Sequence, residues 1–306
     1  MNLDCNSWQL LEIYEQMRDR QSTIAFPRNY ESGHDLGPLI DRYDAFFFDA
    51  FGVLNIGDSA IPGTAERIAE LRAAGRHVGV VSNAASVKKA VLQQRYAAWG
   101  YDFSEQEITV SRDALRAWLD ERPEQSWGVM AIPGSDFSDL KGRMAILGEE
   151  AGAFDDTEGI ILLTTLSLDE ALRQRLLHSL QRRPRPVLLA NPALAAPRED
   201  GFTLEPGYIA WEIMQKTACI PIGLGKPHAP IFEQALQQLP PGIRRERVLM
   251  IGDTLHTDIA GACHCGLHSA LVTGRGFCSD LDWKAPLAHN GIVSHPCLSQ
   301  ALGARH

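Results

Sequence analysis

The chain has 306 residues, 45% hydrophobic and 22% charged, a globular profile large enough for one big domain or two ordinary ones. Its formal net charge of −9 argues against a nucleic-acid partner, which needs a basic face, but leaves room for a small anion in a locally positive pocket. Six scattered cysteines, no apolar run of membrane-spanning length and no signal-peptide pattern at the start lead us to expect a reducing cytoplasm and no membrane partner.

Residues 8–20 carry apolar positions at helical spacing and predict an amphipathic helix, read as a packing element or the contact of a homodimer. Residues 21–40, polar and broken by Pro27, Gly33 and Gly37, read as a linker. Tyr43 to Phe48 is a short apolar run ending at Asp49, as expected of a central parallel strand buried on both faces. A helix over 64–74 stopped by Gly75, a strand over 78–81 ending at Ser82 and Asn83, and a helix over 87–99 follow. The middle of the chain, about 110–205, has its own strands in WGVMAIPG, EGIILLTT and PVLLANP and a helix over 168–180. The alternation then returns with helices over 207–217 and 228–239, a strand end in PIGLGKP, a strand, loop and helix in RVLMIGDTLHTDIAGACHCG, and short strands in SALVTG and GIVS. Strands alternating with helices mean a parallel sheet covered on both sides, with ligands at the carboxyl ends of the strands.

Polar residues stand where that rule puts function. Asp49 and Asp253 end apolar runs, Ser82 ends another, Lys226 lies in GLGKP, and Asp258 follows Asp253 by about one helical turn. Carboxylates gathered at one sheet edge repel unless a cation lies between them, and oxygen ligands suit Mg²⁺. Lys226 and Ser82 can hold phosphate oxygens, and Asp49 could attack phosphorus to give an aspartyl-phosphate.

These residues fall in four ordered motifs, FFFDAFGVL, VVSNAAS, GKP and MIGDTLHTD, with GDSAIPGTAERIAELRAAG, ANPAL and GACHCGLHSALVTG around them. Over roughly residues 41–275 the sequence resembles the haloacid dehalogenase-like (HAD) superfamily, in its NagD-like branch, class IIA. The resemblance implies an α/β fold with a Rossmann-like, doubly wound parallel sheet as core and an inserted α/β cap. The expected layout is a helical extension at 1–40, core at 41–109, cap at 110–205 and core again at 206–306. It implies Asp49 as nucleophile and metal ligand, Asp253 as ligand, Asp258 in support, and the Phe51 carbonyl as a further ligand. Ser82, Asn83 and Lys226 would hold the phosphoryl group, with Lys226 counted among the catalytic residues. The implied activity is a Mg²⁺-dependent hydrolase acting on a small phosphorylated metabolite.

One position departs from the family pattern. Phosphatases of this type carry a second aspartate two residues after the nucleophile, as general acid and base, and here that residue is Phe51. Asp58 and His256 are the nearest substitutes along the sequence. The DAFG tetrapeptide also resembles 2-haloacid dehalogenases, so metal-free displacement at Asp49 is an alternative, as is a phosphometabolite-binding protein without turnover. A subgroup of NagD-like proteins with an aromatic residue there, followed by GVL, is the best match. The Cys263, His264, Cys265 and Cys278 segment, with His256 and His268 nearby, lacks zinc-knuckle spacing and reads as a helix end. Trp118, Trp127 and Trp211 read as core packing.

Overall fold

The computed structural model describes residues 7–21, 32–33, 35–198, 201–274, 276–278 and 297–298. A seven-stranded, wholly parallel sheet runs in the order Ser32–Gly33, Cys297–Leu298, His268–Val272, Val248–Gly252, Ala45–Phe48, His77–Ser82 and Ile108–Val110. The apolar run Ala45–Phe48 sits near its middle, with every residue buried. Each such phenylalanine contributes about 1.5–3 kcal/mol on leaving water. Phe48 pairs with Ile251 on one side and Val80 on the other, so Asp49, Asp253 and Ser82 all emerge at one edge.

Helices cover both faces of this sheet. Thr64–Ala73 and Lys89–Ala98 pack through Ile68, Leu71, Leu92 and Tyr96 on one, and Ala229–Gln237 packs through Ile231, Phe232 and Ala235 on the other. Thr64–Ala73 ends as its sequence predicts. Gly75 N–H donates to Arg72 O (2.9 Å) and Arg76 N–H to Leu71 O (2.9 Å), the paired bonds of a Schellman turn.

A second, five-stranded parallel sheet has the order Ile222–Gly223, Val187–Leu189, Gly159–Leu162, Ser126–Met130 and Arg143–Ile146. Helix Ser111–Asp120 packs on it through Ala114, Leu115 and Leu119. Helices Glu170–Arg182 and Pro206–Lys216 share one apolar cluster with its strands. The first of these is capped by Asp169, whose side chain accepts from Leu172 N–H at 2.7 Å. An antiparallel hairpin, Ala195–Arg198 with Gly201–Leu204, follows strand Val187–Leu189 in the chain and precedes helix Pro206–Lys216.

The structure differs from the sequence expectations in a few places. PIGLGKP does hold a strand, Ile222–Gly223, but it pairs with Val187–Leu189 in the smaller sheet. The expected linker contributes a two-residue edge strand, Ser32–Gly33, and residues 22–31 and 34 lie outside the described residues, as does the GIVS segment. The N-terminal helix, Ser7–Gln21, buries Leu10, Ile13, Tyr14 and Met17 in a cluster that joins residues of the smaller unit, such as Leu194 and Ile213, to Leu255 and Ile259 of the core. Among the described residues, no helix is long and apolar enough to cross a membrane.

Candidate active site

Asp49 follows the central strand directly, and its N–H donates to Ile251 O (2.8 Å) on the adjacent strand. Its Oδ1 accepts from Ala50 N–H (2.7 Å) and from Lys226 Nζ (2.5 Å). The same ammonium lies 2.8 Å from Asp258 Oδ1. Asp258 sits on a π-helical turn, Leu255–Ile259, and its Oδ2 accepts from Thr254 N–H at 3.1 Å. Asp253 accepts from Thr254 Oγ1 (2.8 Å) and from Phe277 N–H (2.7 Å). Backbone closes around Asp253 tightly enough to forbid side chains. A Cβ on Gly52 (φ 82) would fall 1.9 Å from Asp253 Oδ2, and one on Gly276 (φ 72) 2.1 Å from it.

One ligand oxygen from each of Asp49, Asp253 and Asp258 lies within 4.8 Å of the others, and no other such group forms among the described residues. Burial pushes the Asp253 carboxyl well above its ordinary range, and the charges of Asp49 and Asp258 push it further. Burial likewise raises Asp49, against the pull of Lys226. Burial opposes the charge of Lys226, but Asp258 and Asp49 outweigh it and hold the ammonium above its usual value. Three carboxylates thus face one ammonium in a buried setting, and a divalent cation would neutralise the excess. The donors are all hard oxygens, which fits Mg²⁺.

The other predicted residues take distinct places. Ser82 is buried, and its Oγ accepts from Ala84 N–H at 3.3 Å. Asn83 is committed to the lysine segment: Oδ1 accepts from Lys226 N–H (2.7 Å) and Ser111 Oγ (3.1 Å), and Nδ2 donates to Lys226 O (3.1 Å). The Phe51 ring carries the Arg198 guanidinium 4.9 Å from its centroid. His256 stacks on Tyr14 (5.0 Å between centroids) and pairs with Glu15, both of the N-terminal helix, and does not line the cavity above Asp49. Asp58 is exposed at the cavity wall. Trp127 is buried against Trp118, and Trp211 bonds Gln16 at 2.9 Å; none of the three lines the cavity.

The cavity over these groups measures about 500 Å³, the size of a small-molecule site. Asp49, Phe51, Ser82, Lys226 and Asp253 form part of its wall; Asn191, Arg198, Thr203 and Glu205 form another part. The sequence reading did not single out these last four. Their one signal was ANPAL ahead of the third motif, which contains Asn191. Glu205 is held there by Asn191 Nδ2 (2.9 Å) and Thr203 Oγ1 (3.3 Å).

A doubly wound parallel sheet with three carboxylates and a lysine gathered at its carboxyl edge places a candidate site where such folds bind their ligands. Two family models match the chain, "Haloacid dehalogenase-like hydrolase" over residues 46–151 and "HAD-hydrolase-like" over 223–294, together more than half of it. The chain belongs to the HAD superfamily of hydrolases. It is 28% identical over 256 residues to human haloacid dehalogenase-like hydrolase domain-containing protein 2, covering 82% of this chain and 93% of that one. It is 24% identical over 293 residues to the 4-nitrophenylphosphatase of Schizosaccharomyces pombe, covering 88% and 95%. Among solved structures, a possible sugar phosphatase of the HAD superfamily from Cytophaga hutchinsonii shares the fold, with a TM-score of 0.77 at 22% identity over 91% of this chain and 100% of that one.

Proposed function

We propose that this hydrolase is a Mg²⁺-dependent phosphatase of a small phosphorylated metabolite, working through an aspartyl-phosphate at Asp49. The observation that carries the reading is the convergence of Asp49, Asp253 and Asp258 to within 4.8 Å, with Lys226 bridging Asp49 and Asp258. Metal-free displacement would leave these three closely set carboxylates with one ammonium and no cation between them, which favours the metal-dependent reading. Asp49, Asp253 and the Phe51 carbonyl would hold the ion, with Asp258 in support. Bound there, it would offset phosphoryl charge as that charge shifts during transfer.

The chain's own groups do the rest. Lys226 neutralises a phosphoryl oxygen beside the nucleophile and keeps Asp49 ionised and oriented. Ser82 lines the same wall as a phosphoryl contact, and Asn83 sets the backbone of Lys226. Asp49 attacks phosphorus, the ester oxygen departs, and water then releases phosphate from the aspartyl group. The unit built on the smaller sheet is read as the cap: the expected 110–205 segment, together with helix Pro206–Lys216 and strand Ile222–Gly223, which pack with it. Closing over the cavity, it would exclude bulk water.

A panel of phosphate esters assayed with and without Mg²⁺, with Asp49→Asn as control, tests the proposal. Metal-dependent release of phosphate that disappears in the variant is the expected result. Full activity in excess chelator would overturn it in favour of displacement without metal.

A further inference from the structure

Resting on the phosphatase reading, we propose that Glu205 supplies the acid–base function that Phe51 cannot, acting across the cavity on the leaving oxygen and then on the attacking water. The motive is chemical. An alkoxide is a poor leaving group and needs a proton, and the phenyl ring at position 51 has none to give.

Asp58 and Glu205 both line the cavity, but Asp58 is exposed whereas Glu205 is held at both carboxyl oxygens. It follows the hairpin Ala195–Arg198/Gly201–Leu204 and immediately precedes helix Pro206–Lys216, with its N–H donating to Leu194 O (2.9 Å). Its backbone is thus fixed at a junction of regular elements. Both carboxyl oxygens are held, Oε2 by Asn191 and Oε1 by Thr203. Thr203 Oγ1 also accepts from Arg198 Nε (3.2 Å), and that guanidinium lies over the Phe51 ring. A continuous chain of contacts therefore joins the vacated acid position to the Glu205 carboxyl. Both ends line the cavity that contains Asp49 and Lys226.

In-line displacement puts the leaving oxygen on the side of phosphorus away from Asp49. Water that later hydrolyses the aspartyl-phosphate must enter from that same side. One group placed there serves both steps, and Glu205 belongs to the wall contributed by the other unit. Protonation suits the task. Burial pushes Glu205 up to about 7, against the pull of Arg198. Tyr14, whose hydroxyl accepts from Leu194 N–H (3.0 Å), is the nearby titratable group from the N-terminal helix, and burial raises it so that it stays neutral. At neutral pH Glu205 is present in both forms.

The steps balance. Asp49 forms the new P–O bond as the ester P–O bond breaks, and the departing oxygen takes the proton of the Glu205 carboxylic acid. The resulting Glu205 carboxylate accepts a proton from water as that water attacks phosphorus. The aspartyl P–O bond then breaks, leaving phosphate, ionised Asp49 and protonated Glu205.

The test compares Glu205→Gln with the wild type, in Mg²⁺, on an alkyl phosphate and on 4-nitrophenyl phosphate. The variant should lose about 10²-fold in kcat/KM on the alkyl ester and less than about threefold on the aryl ester, whose oxygen leaves with little help. With the aryl ester it should also show a burst of nitrophenolate, because the water step loses its base. In the wild type, kcat/KM on the alkyl ester should fall as pH rises through about 7, and that limb should vanish in the variant. Arg198→Met should move the limb to higher pH, since the opposing cation is gone. Equal losses of kcat/KM on both esters would mark Glu205 as a merely structural or binding residue and overturn the inference, as would no loss on either. A wild type inactive on every phosphate ester would overturn the phosphatase reading itself.

Discussion

The side-chain amide of Asn83 holds the main chain of Lys226 at both ends, accepting from its N–H at 2.7 Å and donating to its carbonyl at 3.1 Å. The lysine that bridges Asp49 and Asp258 is therefore positioned from the end of strand His77–Ser82. Asn83→Ala should leave two backbone groups without their partner and let Lys226 drift. The expected cost is about 1–3 kcal/mol of stability and a loss of kcat/KM on the order of 10²-fold. Thermal melts read alongside kinetics check this, and unchanged kinetics would refute the clamp.

Burial, with the charges of Asp49 and Asp258 adding to it, pushes the Asp253 carboxyl well up, so its behaviour should differ with and without metal. Mg²⁺ in hundredfold excess over its Kd should stabilise the wild type by about 2.7 kcal/mol. In Asp253→Asn that gain should be lost. The metal-free variant should melt no lower than the metal-free wild type, because the amide replaces a carboxyl whose charge is disfavoured there by burial and by Asp49 and Asp258. Differential scanning calorimetry with and without EDTA reads both effects.

Phe51→Asp would place a carboxyl two residues from the nucleophile, where the Arg198 guanidinium already lies over the ring it replaces. The new charge would have a cation to pair with, which limits the cost of inserting it. Combined with Glu205→Gln, this change should restore alkyl-phosphate hydrolysis by on the order of tenfold. With Glu205 intact the gain should be smaller. A double variant that melts normally and gains nothing even at acidic pH, where a carboxyl beside Arg198 can hold its proton, would show that the chemistry does not need an acid at this site.

Glu205 also predicts a pH dependence of stability that needs no substrate. Its carboxyl titrates near 7 in the folded chain and at the ordinary glutamate value, about 4.3, when unfolded. Between those values the folded state binds more protons than the unfolded state, so stability falls as pH rises through that window. Relative to Glu205→Gln, the wild type should lose a few °C in Tm, on an order-of-magnitude scale, between pH 5 and pH 7.5. Parallel pH profiles for the two proteins would rule out the raised carboxyl.

The core half of the site was legible because its residues interrupt apolar runs. Asp49 after four buried residues and Asp253 after Val248–Gly252 stand out in a linear reading, and the sheet edge then brings them together. Lys226 and Asn83 were visible as motif residues, but their backbone clamp was not, since it joins positions far apart in sequence. Glu205 left no local trace: it follows a hairpin whose partner strands do not alternate cleanly, and its role depends on a wall built by another layer. Strand Arg143–Ile146 passed unnoticed because its buried run, Ala145 to Leu147, is only three residues long and is closed in by Gly142, Arg143 and Gly148. His256 was, with Asp58, the nearest substitute acid along the sequence, but a π-helical turn and the N-terminal helix turn it to other partners.

That N-terminal helix touches both halves of the machine. Glu15 meets His256, two residues before Asp258, while Tyr14 accepts from Leu194 and Gln16 from Trp211 of the smaller unit. On the proposed reaction, a motion that parted the two units to release product would have to strain or break one end of this link. Turnover would then be governed partly by a latch remote from the bond being cleaved, and trimming the helix would trade catalytic shielding for faster product escape.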